Sequence, residues 1–251
     1  MRWIALLSVL FLAVPAAAQA PAVNAESAAK AKDLFDQAVE SLGGAAFRNL
    51  KTARLEGRLY GFRQGGLSGM AQAVEYTRYP DQVRQEYGKN KEEIRIISGD
   101  KGWTIDINGV KPLTDEEMKA HRETESMSAF HILRQRLGEE GSLVEYAGRE
   151  FLDNREVDLV RFVDGENRAV TFWLDRTSHL PVRSVRVRRD PQTRERIEET
   201  ELFSNYFTRN GVASPRRIVR ERNGTRIFEA VIQEVQYNLP FQDSLFTPPS
   251  R

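Results

Sequence analysis

The chain has 251 residues, with 37 lysines and arginines against 36 aspartates and glutamates, three histidines and no cysteine. A net charge of +1 argues against a general nucleic-acid or membrane-surface binder. The missing cysteine excludes a disulfide framework, a thiolate nucleophile, cysteine-ligated metal and thiol-linked lipid anchoring.

In chain order, the first element is an address. Arg2 supplies a positive start, Ile4 to Val14 form a short apolar stretch, and Ala18-Gln19-Ala20 is a small-x-small cleavage pattern. Residues 1–20 therefore read as a cleaved signal peptide and 21–251 as one exported domain, long enough to bury its own core. No later apolar run approaches the length of a membrane span, so an integral membrane protein is not expected.

A helix comes next, with Ala31, Leu34, Phe35, Ala38 and Leu42 on one stripe and Gly43-Gly44 as its stop. A turn carrying Phe47 and Leu50 leads into a strand at Thr52 to Phe62. From there the chain reads as antiparallel strands divided at Gly65-Gly66, Pro80-Asp81, Gly88-Lys89-Asn90 and Gly99 to Gly102. Trp103, Ile105 and Ile107 alternate onto one face, and Asn108-Gly109 closes that strand.

Thr114-Asp115-Glu116-Glu117 is a capping box, opening a helical insertion that runs, with a break, to about Leu137. Its rear half carries a narrow apolar face of Met127, Phe130, Leu133 and Leu137. Seven further strands follow, at Leu143–Gly148, Val157–Val163, Ala169–Leu174, Val182–Arg188, Arg196–Phe207, Arg217–Arg222 and Arg226–Tyr237. Asn223-Gly224 is the strongest hairpin turn among them. In two strands both faces are apolar: Val170, Phe172 and Leu174 oppose Trp173, and Val231 and Val235 oppose Phe228 and Ile232. Such strands suit a curved sheet whose concave side is greasy. The expected fold class is mainly β (α+β): a strongly curved, half-open antiparallel β-barrel of about eleven strands, with an N-terminal helix and a mid-chain helical lid.

The N-terminal helix, Leu42-Gly43-Gly44, the Gly102-Trp103 strand, the mid-chain insertion and the tail Asp243-Ser244-Leu245-Phe246-Thr247-Pro248-Pro249 together resemble the LolA/LolB-like family of periplasmic lipoprotein carriers. The resemblance spans nearly the whole mature chain, and its motifs are short and non-catalytic. It implies a periplasmic half-barrel that holds the acyl chains of a lipid or lipoprotein in an apolar cavity closed by helices. An envelope membrane protein is a further implied partner. The cavity lining expected on this reading is Ile94, Trp103, Phe172 and Phe228, with Phe130 in the lid.

An active site finds little support in the residues. Gly66-Leu67-Ser68-Gly69-Met70 fails the serine-elbow pattern at its last position and lies between strands. His121 and His131 are ten apart, not at the i,i+4 spacing, and no phosphate loop or dinucleotide fingerprint occurs. Neither a cofactor nor a metal is expected. Between Arg183 and Arg226 twelve arginines face six acidic residues, and Arg186 and Arg188 alternate with Val185 and Val187. That pattern reads as an outer basic face, on which Arg186, Arg188 and Arg220 would dock an acidic partner or lipid headgroups. Two readings stand beside the carrier: an envelope structural or interaction module using that face, and a hydrolase with an unrecognised site.

Overall fold

The computed structural model describes residues 24–190 and 192–249, so the expected signal peptide lies outside the described residues. Helix α1 (Ala25–Leu42) starts at Asn24, whose side chain accepts from the Glu26 N–H at 3.0 Å. It buries Ala31, Leu34, Phe35, Ala38, Val39 and Leu42, the expected stripe plus one. Gly43 ends it with φ at +124°, and a β-carbon there would collide with the Gly211 carbonyl. The short α2 (Ala45–Arg48) then buries Phe47.

Thirteen strands follow among the described residues, in one antiparallel sheet. They are β1 (Thr52–Arg63), β2 (Gly66–Arg78), β3 (Gln82–Tyr87), β4 (Glu93–Ser98), β5 (Lys101–Asp106), β6 (Gly109–Pro112), β7 (Leu143–Leu152), β8 (Arg155–Val163), β9 (Ala169–Asp175), β10 (Pro181–Arg189), β11 (Arg196–Arg209), β12 (Val212–Arg222) and β13 (Thr225–Tyr237). Their order is β6-β5-β4-β3-β2-β1-β13-β12-β11-β10-β9-β8-β7. The ladder is a meander except where β1 meets β13, which joins the first half of the chain to the second.

The count exceeds the expected eleven partly because β6, four residues reading Gly-Val-Lys-Pro, is too short to show alternation. Asn108-Gly109 is therefore a turn between two strands rather than an end. Ile107 falls in that turn, 97% exposed, and does not continue the Trp103 and Ile105 face. A second departure lies in β13. The β1–β13 register shifts at Glu56/Gly57, so Val235 pairs with Leu55 and shares the face of Ile232 instead of opposing it. A β-carbon on Gly57 would strike the Val231 carbonyl, which is why the bulge needs glycine there.

The insertion begins as expected. The Glu117 N–H donates to Thr114 Oγ1 at 3.2 Å and the Thr114 N–H donates to Glu117 Oε2 at 2.8 Å, opening α3 (Asp115–Ser126). It breaks at Met127 and resumes as α4 (Ala129–His131) and a π-helical turn (Ile132–Arg136). Arg136 Nη1 donates to the Ser126 carbonyl at 2.9 Å, capping the broken end.

The curvature of the sheet follows from what α3 touches. Met118 packs over Gly102 and Ile97, on β5 and β4. Five residues on, the Glu123 carbonyl accepts from Arg186 Nη1 of β10 at 3.2 Å. Along a flat sheet β4 and β10 would be about 34 Å apart, yet Met118 and Glu123 are separated by only about 8 Å of helix. The sheet must therefore curl around α3.

Helix α1 lies on the same concave side and fills its β7–β12 half. Phe35 meets Phe172 edge to face at 5.3 Å, among Val160, Phe162, Leu174 and Phe203. Ser27 Oγ donates to the Tyr146 carbonyl at 3.3 Å and accepts from the Tyr146 N–H at 2.9 Å, so α1 occupies hydrogen-bonding groups of the edge strand β7. Phe172 is fully buried. Phe172→Ala is expected to cost about 3–5 kcal/mol, read as a lowered denaturant midpoint with the slope unchanged.

Candidate ligand cavity

Alternation assigns the other half of the concave face. Across β13, β1 and β2, Ala230 pairs with Leu59 and Leu59 with Ala71. Leu55 pairs with Glu75, Glu75 with Gln85, Gln85 with Arg95, and Arg95 with Thr104. Between these strands and β12 lies a cavity of ≈ 320 Å³ whose apolar wall is Leu55, Leu59, Ile218, Phe228, Ala230 and Ile232.

One side of it is polar. Tyr87 Oη donates to Gln85 Oε1 at 2.9 Å, and Gln85 Nε2 donates to Glu75 Oε2 at 2.8 Å. Thr77 Oγ1 donates to Glu75 Oε1 at 3.4 Å. Burial in these apolar surroundings pushes the Glu75 carboxyl above its ordinary value, against the pull of Gln85 and Thr77, and the charge of Glu125 adds to the rise. Burial also pushes the Tyr87 hydroxyl up to about 12, which keeps it a neutral donor. Nearby, the Arg134 guanidinium stacks on the Tyr79 ring, 3.3 Å from its centroid.

A second hollow of ≈ 190 Å³ adjoins the first beneath the α3–α4 break, lined by Met127, Ser128, Arg186, Glu199, Glu201 and Arg222. Arg220 lines both hollows. Its Nε donates to Glu201 Oε1 at 2.8 Å, and its guanidinium lies 5.5 Å from the Phe228 ring.

The residues expected at the site divide among three places. Phe228 lines the larger cavity. Phe172 lies under α1, and Phe130 packs edge to face on Phe203 at 5.1 Å; both are part of the helix-covered core. Ile94 and Trp103 belong to the opposite face. Trp103 pairs with Ile96, Ile96 with Arg84 and Arg84 with Tyr76, a row one residue out of step with Glu75–Gln85–Arg95. The C-terminal segment lies on that row, with Phe241 edge to face on Tyr76 at 5.6 Å.

The expected outer basic face is a correction of the same kind. Arg186 pairs with Val170, two residues from Phe172 on the same side of β9, so Arg186 and Arg188 point to the concave side. Arg220 does so too. Period-2 alternation reveals that such residues share a face but not which face it is. The sequence reading missed Glu75, Gln85, Tyr87, Glu199, Glu201 and Arg222, because polar strand positions ordinarily point to water. The one available signal was register: across an antiparallel pair, Glu199 is flanked by arginines on both neighbouring strands.

Among the described residues, no cluster of histidine, aspartate and glutamate could hold a metal ion, and no helix is long and apolar enough to cross a membrane. No family model matches the chain, and no curated protein does. Solved structures match its fold. A DUF1329 family protein from Desulfovibrio piger superposes with a TM-score of 0.61 at 12% identity, over 86% of this chain and 97% of that one. A domain described as outer membrane lipoprotein-sorting, from Vibrio parahaemolyticus, gives 0.58 at 12% identity, over 87% and 97%. A LolA superfamily protein from Nitrosomonas europaea gives 0.55 at 11% identity, over 86% and 97%. The class defined by fold is thus a single open antiparallel sheet with α1 and the helical insertion on its concave face. Within that class the fold is LolA-like.

Glu75 supplies a test of the polar wall. A carboxyl raised in the folded state binds its proton more tightly there than when unfolded. It therefore favours the fold below the ordinary value of 4.5 and opposes it increasingly as pH rises through the raised value. Glu75→Gln is expected to raise the thermal midpoint at neutral pH and to lose that advantage below pH 4.5. Thermal melts of both proteins across that range check it.

Proposed function

We propose that this protein is an exported, periplasmic and non-catalytic carrier that holds the acyl chain of a lipid or lipoprotein. The observation that supports it is the apolar cavity on the concave face, left unfilled by α1 and adjoining, through Arg220, the second hollow that the broken α3–α4 insertion covers. An acyl chain in water exposes apolar surface at about 25 cal/mol per Å², and the wall of Leu55, Leu59, Phe228 and Ile232 removes that penalty. The broken insertion is the lid of this reading: it contacts the sheet through side chains, without a strand ladder, and can move without breaking the meander.

The LolA-like fold neighbours fit this role. An interaction module on an outer basic face finds less support, since Arg186, Arg188 and Arg220 face inward. A hydrolase finds less still, since Thr77 Oγ1, the hydroxyl that meets the Glu75 carboxyl at 3.4 Å, does not line the cavity.

Filling the cavity tests the proposal. With Ala73→Phe and Ala230→Phe together, a fluorescent acyl probe is expected to bind more weakly by roughly tenfold or more, about 1.4 kcal/mol. The thermal midpoint should hold or rise, because added apolar volume occupies empty space. Unchanged probe binding in a folded double variant would remove the cavity from the reading. Native mass spectrometry of protein taken gently from its own cell envelope would then name the cargo that co-purifies.

A further inference from the structure

Strands β10, β11 and β12 place an unusual set of charges on the interior face. Glu199 stands opposite Arg186 on one neighbour and Arg222 on the other; Glu201 stands opposite Ser184 and Arg220. Arg186 Nε donates to Glu199 Oε2 at 2.9 Å, Arg188 Nη2 lies 3.1 Å from Glu199 Oε1, and Arg222 Nη2 lies 4.0 Å from the same oxygen. Three guanidiniums therefore crowd one carboxylate, while Arg220 holds Glu201. Glu221 also lines this hollow, from the opposite face by register; the lining itself then holds three arginines and three glutamates, and Arg188, beside it on Glu199, gives the cations an excess of one. Arg186 and Glu199 are only 19% and 22% exposed, so these charges are poorly screened by water.

A guanidinium excess in a recessed hollow is suited to an anion, because the planar fork of arginine matches carboxylate or phosphate oxygens in pairs. Here the hollow opens beside a greasy one. Arg220 belongs to both walls, with its Nε toward Glu201 and its guanidinium near the Phe228 ring. The apolar part, ≈ 320 Å³, is near the lower end of the roughly 300–1,000 Å³ typical of ligand pockets. That is room for one chain in preference to several.

We infer that the two hollows form one amphipathic site for a single-chain lipid with an anionic headgroup, its tail against Leu55, Leu59, Phe228 and Ile232 and its carboxylate or phosphate among Arg186, Arg188, Arg220 and Arg222. This rests on the carrier reading and narrows its cargo. Glu199 and Glu201 hold the arginines in place while the headgroup is absent. Arg186 also donates to the Glu123 carbonyl of α3, so headgroup and lid share a residue.

Four probes of equal chain length separate headgroup from tail: hexadecanoate, hexadecyl phosphate, hexadecanol and hexadecylamine, each displacing a fluorescent acyl probe. Both anions are expected to bind roughly tenfold or more tightly than the alcohol, with the amine weakest and the preference shrinking as salt rises. Preference for one of the two anions supports the site and identifies its headgroup. The double variant Arg186→Met, Arg222→Met should lose the anion preference and keep its affinity for hexadecanol. Glu199→Gln, which keeps the side-chain shape and enlarges the cationic excess, should widen the preference, and it decides the matter if the double variant fails to fold. Equal binding of anions and alcohol by the native protein would overturn the headgroup site and leave the carrier reading intact. Failure of all four probes to bind would overturn both.

Discussion

The structure depends on the curl of a single open sheet. Once thirteen strands bend far enough for one short helix to touch β4, β5 and β10, they enclose more volume than one amphipathic helix can fill. Helix α1 takes the β7–β12 half, where Phe35, Leu34 and Leu42 meet Phe172, Phe203 and Val212. The remaining half faces inward with moderate side chains and glycine or alanine at Gly57, Ala73 and Ala230. Interiors normally pack close to crystal density with few voids. A hollow of this size is therefore a property of the fold that β1, β2, β12 and β13 carry in their choice of residues.

The same curl places charge indoors. Residues that would be solvated on a flat sheet are turned toward α3: Glu75, Arg95, Arg186, Glu199, Glu201, Arg220. Burying such groups is costly unless they are paired. The pairing is largely across strands, Glu199 with arginines from β10 and β12 and Glu201 with Arg220. Arg95 Nε and Arg134 Nη1 are buried without a hydrogen-bond partner. The interior thus combines apolar stretches, under α1 and beside β1 and β13, with charged positions on β2, β4, β10, β11 and β12, which a uniformly greasy core does not have.

Two devices manage the open sheet. The edge strand β7 has the Tyr146 backbone groups occupied by Ser27 and the Tyr146 ring covered by Lys30, 3.4 Å from its centroid, which blunts an edge that would otherwise recruit another strand. The helical insertion is joined to the sheet by apolar packing, Met118 over Gly102 and Phe130 on Phe203, and by two arginine contacts, Arg186 to the Glu123 carbonyl and Arg136 to Asp164 at 3.4 Å. No strand ladder ties it to the sheet.

What the sequence determined by itself is everything local. The stripe of α1, the Gly43 stop, the Thr114 capping box and the hairpin at Asn223-Gly224 are set by residues within a turn or two of each other, and each is found where its pattern lies. Strand after strand was legible from alternation, with the short β6 the exception because four residues, Gly-Val-Lys-Pro, are too few to show a period. The site was not legible in the same way. Alternation separates two faces of a strand but assigns neither to the interior, so Ile94 and Trp103 were expected inside and Arg186, Arg188 and Arg220 outside, and both sets lie the other way round. Only the registers, the bulge at Gly57 and the direction of the curl decided that, because the facing of a strand is fixed by what the sheet wraps around, and the helices it wraps lie far away in the chain.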